Sequence, residues 1–278
     1  MQELFKEIHQ VWLATLHAGF ISKTSSRVTL YNFSDIFWRH FGWIENYFIR
    51  NEIHYNYDIP QVALRVEKLS YLYNDIINRL KKIQTKLESI DDLRIKERIN
   101  SDIIYIVEAL KLLEDEEVTA FSMNRQYNDM ELSDEARDAL TLFLFEESYK
   151  EYELILVYNY SKANSNSAFL NRIYEILIGE SVFHLRSFGE MMATMGILAV
   201  PRMVMEEIYK FEDLEQFLLG GIDEERKAKE NCKALSNAVS QTNAHFASFF
   251  EFINNQENYH IALMQEALTY ILSQKENI

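Results

Sequence analysis

The chain has 278 residues, 48% of them hydrophobic and 13% aromatic, which suits one large or two small folded domains and is far from a disordered composition. Its net charge is −15, from 28 basic and 43 acidic residues, which argues against a phosphate-backbone partner, so no nucleic acid is expected. The single cysteine, Cys232, excludes an intramolecular disulfide framework and any all-cysteine zinc, rubredoxin or iron–sulfur centre within one chain.

Only 2 prolines and 7 glycines occur. Strands need frequent turn punctuation, so this scarcity predicts an all-α fold of long helices with short connections. The start, MQELFKEIHQVW, lacks a basic segment followed by an apolar run, so no signal peptide is expected. No stretch of about 18 uninterrupted apolar residues exists, which predicts no membrane span and, by default, a cytoplasmic location.

In chain order, the first half carries four helical patterns, at roughly 2–20, 34–55, 61–88 and 94–118. The second, FSDIFWRHFGWIENYFIRNEIHYNY, is aromatic on nearly every side and predicts deep packing. The third places Val62, Val66, Leu69, Tyr73, Ile76, Leu80 and Ile83 on one stripe opposite Glu67, Lys68, Lys81 and Lys82. Pro60 and Pro201 sit between helical patterns, where a missing N–H does least harm. A polar stretch at Tyr127-Asn128-Asp129 divides the chain into an N-terminal helical region, 1–130, and a second region, 131–278.

The second region predicts four more long helices and one short one. The first long helix covers about 134–162 with Ser133 as N-cap, and Asp134 and Glu135 favour its dipole. After a loop at Asn164-Ser165-Asn166-Ser167, the next spans about 167–197, capped by Ser167. A short helix near 202–218 ends at the Gly220-Gly221 pair, and a helix over about 224–238 follows, capped by Asp223. The last runs from about 241 to 274. Four long helices with inward seams predict a bundle.

Those seams carry residues that do not belong in an apolar core. They read Leu140, Leu144, Glu147, Glu151, Leu154, Tyr158, then Ile173, Leu177, Glu180, His184, Ser187, Met191. The other two read Glu225, Ala228, Cys232, Leu235, Val239 and Phe246, Phe250, Ile253, Glu257, His260, Met264, Ala267, Ile271. Steps of three and four keep each set on one stripe. A lone ionised carboxylate inside a helical core costs several kcal/mol unless it is paired or protonated. Four carboxylates would balance two divalent cations, and two imidazoles complete a mixed N/O donor set suited to iron or manganese. No lysine or arginine lies on these seams to compensate the cluster. Taken singly, Glu257-Asn-Tyr-His260 is a weak motif, Glu225 suits a helix start, Cys232 reads as a small core residue, and His245 as an ordinary one.

The segment GIDEERKAKENCKALSNAV followed by FEFINNQENYHIALMQEAL resembles one half of a ferritin-like di-iron bundle of the rubrerythrin and bacterioferritin type. Glu225, Ala228 and Cys232 match its ligand, small and packing positions, and Glu257 and His260 match its Glu-x-x-His. The segment KEYELILVYNY followed by RIYEILIGESVFHLRSF resembles the other half, through Glu151 and Tyr158. There the pattern departs from the family, because Glu180 and His184 are four apart rather than three. Either a π-bulge absorbs the extra residue or Ser181 occupies the ligand position.

The resemblance covers about residues 134–274 and implies a ferritin-like four-helix bundle with an additional N-terminal helical region. It implies Glu180 and Glu257 as bridges, Glu151 (or Glu147, one turn earlier) and Glu225 as terminal ligands, and His184 and His260 on one metal each. The implied cofactor is two iron ions, or manganese. The implied function is a non-haem oxidoreductase reacting with O2 or H2O2 and an unknown small-molecule substrate, with an external electron donor. Iron storage and a metal-free helical scaffold are the alternatives. Tyr158 would be a redox or hydrogen-bonding group near the metals, or a packing residue. The aromatic N-terminal helices would cover a substrate pocket or form a homodimer face.

Overall fold

The computed structural model describes residues 1–59, 68–118, 132–199, 202–211 and 213–275. Pro60, Pro201, the 61–67 end of the third helical pattern and Tyr127-Asn128-Asp129 lie outside the described residues. Among the described residues every regular element is helical, apart from one isolated bridge between Lys68 and Glu117. The helices are α1 (Gln2–Ile21), α2 (Thr24–Arg50), α3 (Leu69–Lys86), α4 (Leu93–Leu110), α5 (Asp134–Asn164), α6 (Ala168–Thr194), α7 (Glu206–Tyr209), α8 (Leu214–Val239) and α9 (Ala244–Lys275). No helix among the described residues is long and apolar enough to cross a membrane.

The chain divides into two compact units. The first comprises Met1–Met123 and Arg186–Glu206, the second Asn124–Leu185 and Glu207–Ile278. A boundary at 130/131 therefore omits an exchange, since the last turns of α6 belong with the N-terminal helices. Their side chains explain why. Arg27 of α2 donates to Glu190 at 2.6 Å, Tyr31 donates to the same carboxylate at 2.7 Å, and Arg186 donates to Asp35 at 2.5 Å. Gly189 completes the fit, because a Cβ there would fall 2.6 Å from the Phe20 ring.

The first unit is built on aromatic packing. Phe5 stacks on Phe41 at 4.3 Å between centroids, Trp38 stacks on Phe41 at 5.2 Å, and Tyr55 and Tyr57 close the group. Phe37, Phe41 and Phe48 of α2 are fully buried, as the aromatic density of that segment predicts.

In the second unit α5 starts at Ser133, whose Oγ accepts from the Ala136 amide, and α6 starts after Ser167, whose Oγ accepts from the Leu170 amide. One expectation is corrected. The short helix expected near 202–218 divides between α7 (Glu206–Tyr209) and the start of α8, and α8 begins ten residues before the expected 224, with Asp213 capping the Glu215 and Gln216 amides. Gly221 does not break the helix. It lets α8 approach α9, since a Cβ there would sit 3.1 Å from the Met264 sulfur.

Candidate metal centre

Within the second unit, α5, α6, α8 and α9 each send at least one polar side chain into a buried cluster. Glu151 comes from α5, His184 from α6, Glu225 from α8, and Glu257 and His260 from α9. All five are buried, His184 completely. Helical spacing puts them there. Glu257 and His260, three apart, lie one above the other on the α9 stripe between Ile253 and Met264, and Glu225 leads Ala228 and Cys232 along the buried stripe of α8. Because α8 starts at Leu214, Glu225 lies well inside the helix, beyond the reach of the N-terminal dipole.

The five residues form two overlapping groups. Ligand atoms of Glu151, His184 and Glu257 lie within 4.8 Å of one another, and so do those of Glu225, Glu257 and His260. Glu257 is common to both. His184 Nδ1 is 2.8 Å from Glu151 Oε1, His260 Nδ1 is 3.1 Å from Glu257 Oε2, and the two imidazole centroids are 5.6 Å apart.

Both histidines turn Nδ1 inward and Nε2 outward. The Nε2 of His184 meets Gln256 Oε1 at 3.1 Å, and the Nε2 of His260 meets Glu180 Oε2 at 2.6 Å. An outer acceptor of this kind fixes the imidazole orientation and tautomer. Glu180 therefore stands behind His260, with its side chain 25% exposed, rather than between the two groups. Ser181, fully inside, holds the position three before His184. No π-segment occurs in α6, so the four-residue spacing is not absorbed by a bulge. The buried stripe of α6 runs Leu177, Ser181, His184 or Leu185, Phe188, Met192, one residue out of phase with a stripe through Glu180, Ser187 and Met191.

Of the two α5 candidates, Glu151 joins the cluster. Glu147 is buried one turn away, and desolvation pushes its carboxyl up to about 7, against the pull of Lys150. Lys150 is a cation that a seam-based reading misses: it pairs with Glu224 at 3.4 Å and is held charged by Glu147, Glu224 and Glu225. Tyr158 is buried against Tyr174 and Phe217, with no hydrogen-bond partner for its hydroxyl among the described residues. Burial, then the charges of Glu225, Glu151 and Glu257, raise its pKa.

The charge state of the cluster without metal follows from its contacts. Burial alone would depress His184, but Glu151 and Glu257 outweigh it and hold the imidazole up to about 9. His260 is held up to about 12, because hydrogen bonds to Glu180, Glu225 and Glu257 outweigh its burial. Burial also drives Glu257 up, and the hydrogen bond it shares with Glu225 keeps a proton on Glu257 while Glu225 is held low. The three carboxylates of Glu151, Glu225 and Glu257, two imidazoliums and one shared proton sum to zero, and Glu180 behind His260 adds a fourth carboxyl group. A carboxylate and imidazole set that can be closed only by protons or by cations is a fitting metal-donor set. One oxygen is also left over, since Glu151 Oε2 is buried with no hydrogen-bond partner among the described residues.

No protein-family model, curated protein or solved structure matches the chain.

Proposed function

We propose that the second unit is a ferritin-like four-helix bundle holding two divalent metal ions, iron or manganese, and that it serves an oxidoreductase reacting with O2 or H2O2. The observation that carries this reading is the sharing of Glu257 between two buried groups, each made of two carboxylates and one histidine. Glu257 would serve both ions. Glu151 and His184 would hold one ion, and Glu225 and His260 the other. The leftover Oε2 of Glu151 has the lone pairs to join them.

When bound, such a pair supplies redox chemistry towards dioxygen or peroxide. The chain's own residues supply orientation and seclusion. Gln256 and Glu180 accept from the outer nitrogens and keep the inner ones aimed at the cluster. Burial of all five donors keeps bulk water out. Tyr158 offers a phenolic hydroxyl on the α5 stripe two turns beyond Glu151.

The test is metal analysis of protein purified from iron- and manganese-supplemented cells, by mass spectrometry. About two ions per chain are expected, as for other di-metal carboxylate bundles, together with peroxide or dioxygen consumption. A metal-free protein, or full metal content in a Glu257→Ala/His260→Ala double variant, overturns the site. Hundreds of ions per particle, without sustained peroxide consumption, would favour iron storage.

A further inference from the structure

The first unit contains a cleft of about 610 Å³ between α2 and the start of α4. Its walls are Trp43, Asn46 and Arg50 on α2, and Asp92, Arg94 and Arg98 on the other side. Three guanidinium groups around one cavity are notable in a chain with 43 acidic and 28 basic residues. Five arginines elsewhere pair with carboxylates, Arg27 with Glu190, Arg79 with Asp75, Arg137 with Asp134, Arg186 with Asp35 and Arg226 with Asp223, whereas Arg39 and Arg172 do not among the described residues. Arg50 and Arg94 have no carboxylate within 4.0 Å among the described residues.

The cleft is braced from behind. His40, buried on α2, bonds through Nε2 to Asp102 at 3.0 Å, and Asp102 accepts from Arg98 Nε at 3.3 Å. The His40 ring lies 5.4 Å from that of Trp43, so one chain of contacts joins the aromatic wall to an arginine wall. Arg50 Nε donates to its own helix at Asn46 O, 3.2 Å away, which holds the guanidinium beside the cavity. Asp92, the one acid among the described residues that line it, already accepts the Arg94 and Ile95 amides. Three positive charges and one negative line the cleft, and Asp102 offsets Arg98 from behind, so Arg50 and Arg94 are the two lining cations without a carboxylate partner among the described residues; two oxygens of one phosphate ester would pair with both. Guanidinium forks bind phosphate oxygens in pairs, and an indole offers a stacking face.

We propose that this cleft binds a small organic phosphate carrying a planar ring, with the phosphate on Arg50, Arg94 and Arg98 and the ring on Trp43. The size is in the ordinary range for a small-molecule site.

Isothermal titration calorimetry on the full chain tests it with adenosine 5′-monophosphate, flavin mononucleotide and pyridoxine 5′-phosphate. Inorganic phosphate and adenosine serve as the ring-less and phosphate-less arms. At least one of the three esters is expected to bind once per chain, at least about tenfold more tightly than either arm, and to weaken with salt. An Arg50→Ala/Arg94→Ala variant, altered only at exposed side chains, should fold normally by circular dichroism and bind at least about tenfold more weakly. Trp43→Leu should weaken the ester and leave inorganic phosphate unchanged. Repeating the titration on Glu257→Gln separates this cleft from any anion held by metal in the second unit, and the affinity there should not change. The proposal is overturned if no ester binds below about 1 mM, if the double arginine variant binds as wild type does, if inorganic phosphate alone binds as tightly as the esters, or if binding disappears in Glu257→Gln.

Discussion

The two units bury the same residue type, neutral in one and protonated in the other. His9 and His17 of α1 lie among rings: His9 is 5.1 Å from Phe41 and 5.8 Å from Trp12, and His17 is 5.3 Å from Phe20. Desolvation dominates both: His9 is pushed down to about 3, against the pull of a backbone hydrogen bond at Tyr57, and His17 to about 4. His184 and His260 are as deeply buried, yet carboxylates hold both well above the ordinary value. Burial alone would leave all four neutral; carboxylate neighbours reverse that for the second pair, and rings do not for the first. The first pair are packing residues, kept neutral. The second pair are held charged by carboxylates, in the set proposed above to exchange protons for metal.

This contrast can be broken most sharply with pH. For His9 and His17 the unfolded state binds protons that the folded state refuses, so their contribution is intact above about 6.5 and is lost as pH falls towards 3 to 4. Between pH 7.5 and 5 the expected loss is about 2 kcal/mol for each, roughly 4 kcal/mol together. The sign is reversed for His184 and His260 in metal-free protein, whose contribution is full below about 6.5 and is lost as pH rises through about 9 for His184 and about 12 for His260. All three tryptophans, Trp12, Trp38 and Trp43, lie in the first unit. Denaturant titrations followed by tryptophan fluorescence should therefore show acid weakening, and an unchanged midpoint between pH 7.5 and 5 would contradict the neutral aromatic pair.

Next in size is the shared carboxylate. Glu257→Gln should lower affinity for both metal ions by at least about 100-fold, whereas Glu225→Gln should spare one of them, read as ions retained after dialysis against a weak chelator. If Glu257→Gln loses only one ion, Glu257 does not bridge. A smaller effect is expected behind the histidines. Glu180→Ala should cost about 10-fold in affinity at one ion and leave Glu257 and His260 in place, consistent with an outer acceptor. Loss of all metal would instead make Glu180 a ligand. The smallest effect concerns the helix that carries Glu225. Asp213→Ala should cost about 1 kcal/mol of stability through the lost cap, with metal stoichiometry unchanged. A neutral result would mean that the α8 start contributes nothing to holding the second unit together.

Much of this was legible in the sequence because it depends on local spacing. Ser133 as a cap, the length of α5 and α9, and the common stripe of Glu257 and His260 all follow from a 3.6-residue period. Glu225, Ala228 and Cys232 fall on one buried stripe for the same reason. What was not legible depends on neighbours. A stripe stepping by three or four is ambiguous by one residue, and that residue separates Glu180, behind His260, from Ser181, inside the core. Gln256 carries no charge and no motif, so only the fold shows that it holds His184. Gly220-Gly221 looks like a break until α9 is seen close against Gly221. The partition of α6 between units rests on Arg186 and Glu190 meeting residues more than 150 positions away.

The narrow gap at Gly221 has a chemical consequence. Met264, one turn beyond His260, fills that gap with its thioether and is buried almost completely. Conversion of that sulfur to a sulfoxide would add an oxygen where there is no room and demand a polar partner in an apolar seam. The helix carrying Glu225 would be levered away from the one carrying Glu257 and His260, so a single oxidised thioether would dismantle the cluster from outside its own donors.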